Sequence, residues 1–424
     1  MLPVVYPFLV RNWLLKNLSA HLIFNTGSYT ISRKAIFLSL YLFAFLFLAL
    51  YGRQGFQTLN QVILWAFGPL LAFYILEPNL GKLHKIPGEY FFYVSMVVFA
   101  FLGYLNVKDE SGFYRYLQVF IANFVLMIIV YFGINNIKEW ELAWKTIGLV
   151  GLTVAIVGYF IEAPTIQTDE YFRLSGITGN ANGTANYARV AVVAGLIMLQ
   201  LTNKKLLRIL IWITIVFLAY TILLTASRSN FANIVFILGG YFAFKYFSGW
   251  RLFLLLLLLY VFGNIILYLA ESFLSDFYLF DRLTRNDSVT AAIDDESRLQ
   301  LYALAWKYFL EYPLLGVGLN QFHFYSEGKI THTDILDILV QLGIFAGAIY
   351  ISIYIKLFNR ITRLKQFFSN QQDVRIYQVI LLCFSSELFF GLSNPNWFTQ
   401  LQMIVLSLLI VYVTKIRTTN LKKV

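Results

Sequence analysis

The sequence predicts an all-α integral membrane protein with about twelve transmembrane helices. Three observations carry that expectation. Of 424 residues, 59% are hydrophobic and only 13% charged, which is more apolar surface than a soluble fold can bury. Apolar runs of the roughly 17 to 25 residues that a helix needs to cross a bilayer recur along the chain. Lys and Arg collect on alternate connections, as the positive-inside rule requires.

The elements follow in order. Residues 1–34 set Arg11, Lys16, Arg33 and Lys34 among short apolar clusters without a cleavage-site pattern, and read as a cytoplasmic, interfacial or partly re-entrant segment. Nine spans fill residues 35–269, at about 35–52, 60–78, 88–106, 113–135, 142–162, 186–202, 205–224, 229–247 and 251–269. Residues 270–332 form a long outer connection. Three further spans occupy residues 333–415, at about 333–357, 375–392 and 397–415, and residues 416–424 form a cytoplasmic tail. An even number of spans puts both termini in the cytoplasm. Most of the 33 Lys and Arg residues then lie inside, among them Lys204, Lys205, Arg208, Arg360, Arg363 and Lys415. The net charge of +11 therefore anchors the chain to an anionic leaflet, which makes membrane lipids its electrostatic partner and excludes nucleic acid. Cys383 is alone, so no intramolecular disulfide can form.

Two outer connections are long, residues 163–185 and 270–332, and length of that kind is more often functional than accidental. In the second, Leu299, Tyr302, Trp306, Phe309 and Pro313 recur at helical spacing, with Asp294 or Asp295 placed as a cap. This predicts an amphipathic helix lying flat on the outer surface, with Arg298 in its first turn. Pro313, Gly316 and Gly318 end it. His332 then opens the tenth span. Asp337 and Glu387 fall inside predicted spans, where an ionisable group either serves function or pairs with a polar neighbour.

Four patterns share one order and one side of the membrane. They are Asn180-Ala-Asn182 with Asn186-Tyr187-Ala188, Ser227-Arg228-Ser229, Arg298 and Trp306 with Pro313-Leu-Leu-Gly316-Val-Gly318, and His332 followed after ten intervening residues by Gly343. Over about residues 175–350 they resemble the O-antigen ligase and O-antigen polymerase superfamily, bacterial membrane glycosyltransferases that move glycans off undecaprenyl diphosphate. The resemblance implies a GT-C-like architecture in the bacterial inner membrane. It also implies an undecaprenyl-diphosphate-linked glycan donor, an acceptor that is a lipid-linked repeat unit or lipid A core, and a chain-length regulator as a further partner. Thr333 stands where ligases usually carry Asn, Ser or Gln, which favours a polymerase.

The chemistry of such a transfer asks for these residue types. A lipid diphosphate leaves as an anion, so it needs charge neutralisation more than a proton donor. The guanidinium fork suits phosphate oxygens and stays charged. Arg228 and Arg298 lead as catalytic candidates, with Arg189 and Arg173 behind them as substrate ligands. The acceptor hydroxyl must lose a proton, and a neutral histidine, with an ordinary pKa of about 6.5, can take it. His332 is the expected base, with Asp334 to orient its ring. Asn182, Asn186, Tyr302 and Gly318 complete the expected substrate-binding set. Direct attack with one base predicts inversion. No cofactor or metal is expected, because the first outer loop reads Arg53-Gln-Gly-Phe-Gln-Thr and offers no carboxylate. A twelve-span transporter would set its polar groups at the midplane, whereas here they gather at one surface.

Overall fold

The computed structural model describes residues 31–51, 67–79, 81, 86–160, 166–168, 171–174, 178–246, 289–329, 331–367 and 371–416. Among them the chain forms α1 (Arg33–Tyr51), α2 (Gly68–Leu76), α3 (Gly88–Leu102), α4 (Glu110–Gly133) and α5 (Ile137–Phe160). After a short hairpin of β1 (Ile166–Thr168) and β2 (Tyr171–Arg173) come α6 (Ala181–Leu201), α7 (Lys205–Leu224) and α8 (Arg228–Tyr246). The last four helices are α9 (Val289–Glu311), α10 (Asp334–Arg363), α11 (Gln371–Gly391) and α12 (Gln400–Val411). The protein is an all-α integral membrane protein, and seven described helices are long and apolar enough to cross a membrane. Ten of the twelve expected spans coincide with described helices, and the described end of the second, expected at 60–78, holds the nine-residue α2. The ninth, at 251–269, lies outside the described residues, as do residues 1–30 with Arg11 and Lys16, the first outer loop, and residues 270–288.

Lipid is as apolar as leucine, so close backbone approach and polar contacts must hold the helices together. The α5–α6 contact uses the first. A Cβ at Gly151 would stand 2.5 Å from the Tyr187 carbonyl oxygen and 2.6 Å from Ala191, so only glycine lets these backbones meet. Helix α12 uses the second. It is buried from Leu401 to Val411, accepts the Trp140 indole N–H on the Leu408 carbonyl at 2.9 Å, and pairs the Ser407 and Tyr90 hydroxyls at 2.7 Å. Just beyond it, the Lys415 ammonium donates to the Tyr131 and Ile134 carbonyls at the end of α4, a cation placed where a helix terminus favours one. Helix α7 has the opposite character. Most of it faces outward, Leu206, Ile213 and Val216 being well exposed, which suits a lipid-facing rim.

Helix α9 differs from its sequence reading in two respects. It begins at Val289, so Asp294 and Asp295 lie inside the helix and not at its start, where a cap would stand. Among its described side chains Leu301, Ala305 and Phe309 are buried, whereas Leu299 and Trp306 are exposed at 67% and 48%. The cause is the chain beyond Pro313, which folds back beneath the helix. Ala305 packs against Val317, Phe322 and Val340, and its small side chain selects the face that can come close. The helix therefore lies on protein.

The tenth apolar run is a broken element. Gly343 has φ 81° and ψ −176° in the middle of α10. The Tyr350 hydroxyl reaches the Asp334 carboxylate at 2.6 Å, although a straight helix would hold two residues sixteen apart about 24 Å from each other. Residues 334–342 thus fold back alongside residues 344–363. This second part is itself about 30 Å long, enough to cross a bilayer.

Candidate functional site

The break at Gly343 frees backbone groups that must find partners elsewhere. The chain from Pro313 to Gly318 provides them. Val317 N–H donates to the Val340 carbonyl at 2.8 Å, Gly318 N–H to the Gln341 carbonyl at 3.1 Å, and Ile344 N–H to the Pro313 carbonyl at 2.9 Å. Both glycines of this joint are required. A Cβ on Gly343 would lie 2.1 Å from the Leu314 carbonyl oxygen, and one on Gly316, at φ 68°, would lie 2.3 Å from the Gln341 carbonyl carbon. The Pro-Leu-Leu-Gly-Val-Gly run and the His…Gly pair are therefore two sides of one backbone joint. Its surroundings are polar and satisfied. Asn106 donates to the Gly316 carbonyl at 2.7 Å, and the Gln321 side-chain oxygen accepts the Lys108 and Asp109 amides, each at 2.9 Å. Asp109 caps α4, and the Ser111 hydroxyl first, then the Gly112 amide, hold its carboxyl below the usual carboxylate range.

The folded-back segment returns the chain to the bundle at His332, which is half-buried in the turn before α10. Thr333 caps the helix, its hydroxyl accepting the Leu336 amide at 3.2 Å. Asp334 accepts three donors, the Asn396 amide, the Trp397 amide at 3.0 Å and the Tyr350 hydroxyl at 2.6 Å. That makes it first of all a joint between α10 and the connection from α11 to α12. Asp337, one turn on, accepts the Trp397 indole at 2.7 Å and the Thr331 hydroxyl at 2.5 Å. Gly391 is tight against the same carboxylate, since a Cβ there would stand 2.3 Å from Asp334 Oδ2.

The connection of residues 392–399 also reaches the second charged element. Asn394 donates to the Ser229 hydroxyl at 2.8 Å, beside Arg228, the half-buried first residue of α8. Ala226, at φ 49°, makes the sharp turn from α7 into α8. Asn230 then donates to the Ser227 hydroxyl at 3.0 Å and to the Asn182 carbonyl at 3.4 Å, which brings the start of α6 to the same place. The 392–399 connection therefore bonds to the segments carrying Arg228 and His332, and Asn230 ties the segment carrying Asn182 to the first of them.

Other expected residues lie elsewhere. Arg189 is fully buried two turns below Asn182, paired with Glu387 at 2.9 Å, donating to the Asn186 side chain at 2.8 Å and to Ser386 at 2.5 Å. Glu387, the ionisable group inside a span, has thus found a partner. Tyr302 is half-buried on α9, and Gly318 belongs to the backbone joint. Arg298 lies on α9 and Arg173 on β2 opposite Ile166, but the side chains of both are outside the described residues. Sequence reasoning missed Asn394, Asn396 and Trp397. Two asparagines around a proline between apolar runs, Ser393-Asn-Pro-Asn-Trp397, were the available signal.

Residues 213–351 match the family model described as O-antigen ligase. That interval holds Ser227-Arg228-Ser229, α9, both sides of the glycine joint and His332. A comparison with curated proteins finds no match. Over residues 213–351 the chain is thus similar to the O-antigen ligase family.

Proposed function

We propose that the protein transfers a glycan from undecaprenyl diphosphate to an acceptor sugar hydroxyl at the outer face of the bacterial inner membrane, acting as a surface-polysaccharide polymerase. The observation that supports this reading most is the 392–399 connection. It binds Ser229, next to Arg228, through Asn394, and Asp334, two residues from His332, through the Asn396 and Trp397 amides. In this reading a cation and a base share one face.

In the proposed reaction neutral His332 takes the proton of the acceptor hydroxyl as its oxygen bonds to the anomeric carbon. The bond from that carbon to the diphosphate oxygen breaks on the opposite side, its electron pair leaving with the lipid diphosphate. Arg228 and Arg298 balance the charge that gathers there. The configuration inverts, and no acid is needed for the leaving group. Asn182, Arg173 and Tyr302 are the proposed further substrate contacts. Arg189, Asn186, Asp334 and Gly318 support the site from behind.

The description of the matching family favours a second reading, a ligase that delivers the glycan to lipid A core. One experiment separates the two. Purified protein is incubated with lipid-linked repeat units, first alone and then with lipid A core. A ladder in the first arm establishes the polymerase, and donor consumption only in the second establishes the ligase. An unchanged donor in both refutes the transferase.

A further inference from the structure

At the end of the bundle away from His332, a cleft is lined by Gln200, Arg208, Tyr241, Phe244, Arg375 and Gln378. Asn182 and Gln200 are separated by about 27 Å of α6, close to the roughly 30 Å of a bilayer core. The cleft therefore opens at the opposite membrane boundary.

Its electrostatics are incomplete. Arg208 and Arg375 are both half-buried, and neither has a salt-bridge partner among the described residues. Among the described residues no acid lines the cleft. Among residues with described side chains, the charged neighbours near this end of the same elements are Lys204 and Lys205 at the start of α7, which add positive charge, and Asp373, half-buried near the start of α11 and engaged in a contact of its own. Helix α7 begins without a side-chain cap, so its first amides also contribute positive potential here. Two guanidinium groups in one recess repel unless an anion lies between them.

The remaining groups say which anion fits. The Tyr241 hydroxyl accepts from the Gln200 side-chain amide at 3.1 Å, which leaves its own proton to donate. Guanidinium forks match phosphate oxygens. Phe244 is 42% exposed at the edge, where an acyl chain would run. We infer that this cleft binds the phosphate of an anionic phospholipid from that leaflet, held by Arg208 and Arg375 with Tyr241 as third donor. The inference stands apart from the transfer reaction, because it concerns another surface and is read by binding.

The test uses the full chain in phosphatidylcholine bilayers, alone, with phosphatidylglycerol added, or with inorganic phosphate in the buffer. The readouts are the melting temperature and the lipid retained in native mass spectra. Phosphatidylglycerol should raise the melting temperature and remain bound. Arg208→Gln and Arg375→Gln should each weaken retention by about tenfold, the loss expected for one charge-assisted contact, and Tyr241→Phe by less. Equal protection by inorganic phosphate would support the phosphate site while overturning its assignment to lipid. Equal melting temperatures in all three arms would overturn the inference, as would unchanged retention in the substituted proteins. Should the arginine variants fail to fold, Tyr241→Phe and the three wild-type arms still decide.

Discussion

Replacing Gly343 by alanine tests the backbone joint that shapes the site. The residue sits at φ 81° and ψ −176°, a conformation open to glycine and costing other residues about 1 to 3 kcal/mol. The added methyl would lie 2.1 Å from the Leu314 carbonyl oxygen and 2.7 Å from the Leu315 nitrogen, and backbone atoms cannot rotate away. Relief requires the joint to open, and its three hydrogen bonds are worth about 1 kcal/mol each. With two of them lost, the total is roughly 4 kcal/mol. Alanine also prefers continuous helix by about 1 kcal/mol, which pulls residues 334–342 straight and Asp334 away from Tyr350. The control is Gly239→Ala in α8, where a Cβ meets nothing within 4 Å. Unfolding of both purified proteins by SDS in mixed micelles should show Gly343→Ala strongly destabilised and Gly239→Ala within about 1 kcal/mol of the parent. If the two variants unfold alike, the joint does not carry the strain and contacts assigned to it.

Asn394→Ala removes the hydrogen bond to Ser229, worth about 1 kcal/mol. Turnover should fall roughly tenfold with little change in KM, and adding Ser229→Ala should cost no more, whereas additive losses would show that the contact does not couple the two elements. Arg189→Met strands the Glu387 carboxylate inside the bundle and should cost about 3 to 5 kcal/mol in thermal melts. The pair Arg189→Met with Glu387→Leu should recover most of that loss, and no recovery would mean that the charges serve more than each other. Turnover should survive EDTA, and inactivation that divalent ions reverse would contradict a site built on guanidinium and imidazole groups.

The helical content was legible because bilayer thickness sets a length that the apolar runs obey, and α3 to α8 follow them closely. The break in α10 was not. Hydropathy averages across Gly343, and its positive φ leaves no trace in composition, so one span was expected where the chain doubles back. The buried face of α9 was misjudged for a related reason. Periodicity identifies a stripe but not its neighbour, and that neighbour is a loop folded under the helix. At the site, the motif residues Arg228 and His332 were readable as polar groups near span ends, whereas the connection that ties their segments together is made of backbone amides and one asparagine. Backbone donors have no sequence signature.

The most direct test of the central claim is turnover of lipid-linked glycan by His332→Ala, measured beside its melting temperature and its binding of the donor. The account predicts a loss of about 100-fold or more in transfer, the scale of a missing general base, with stability and donor binding retained. Transfer at the parent rate by a folded His332→Ala protein would contradict it.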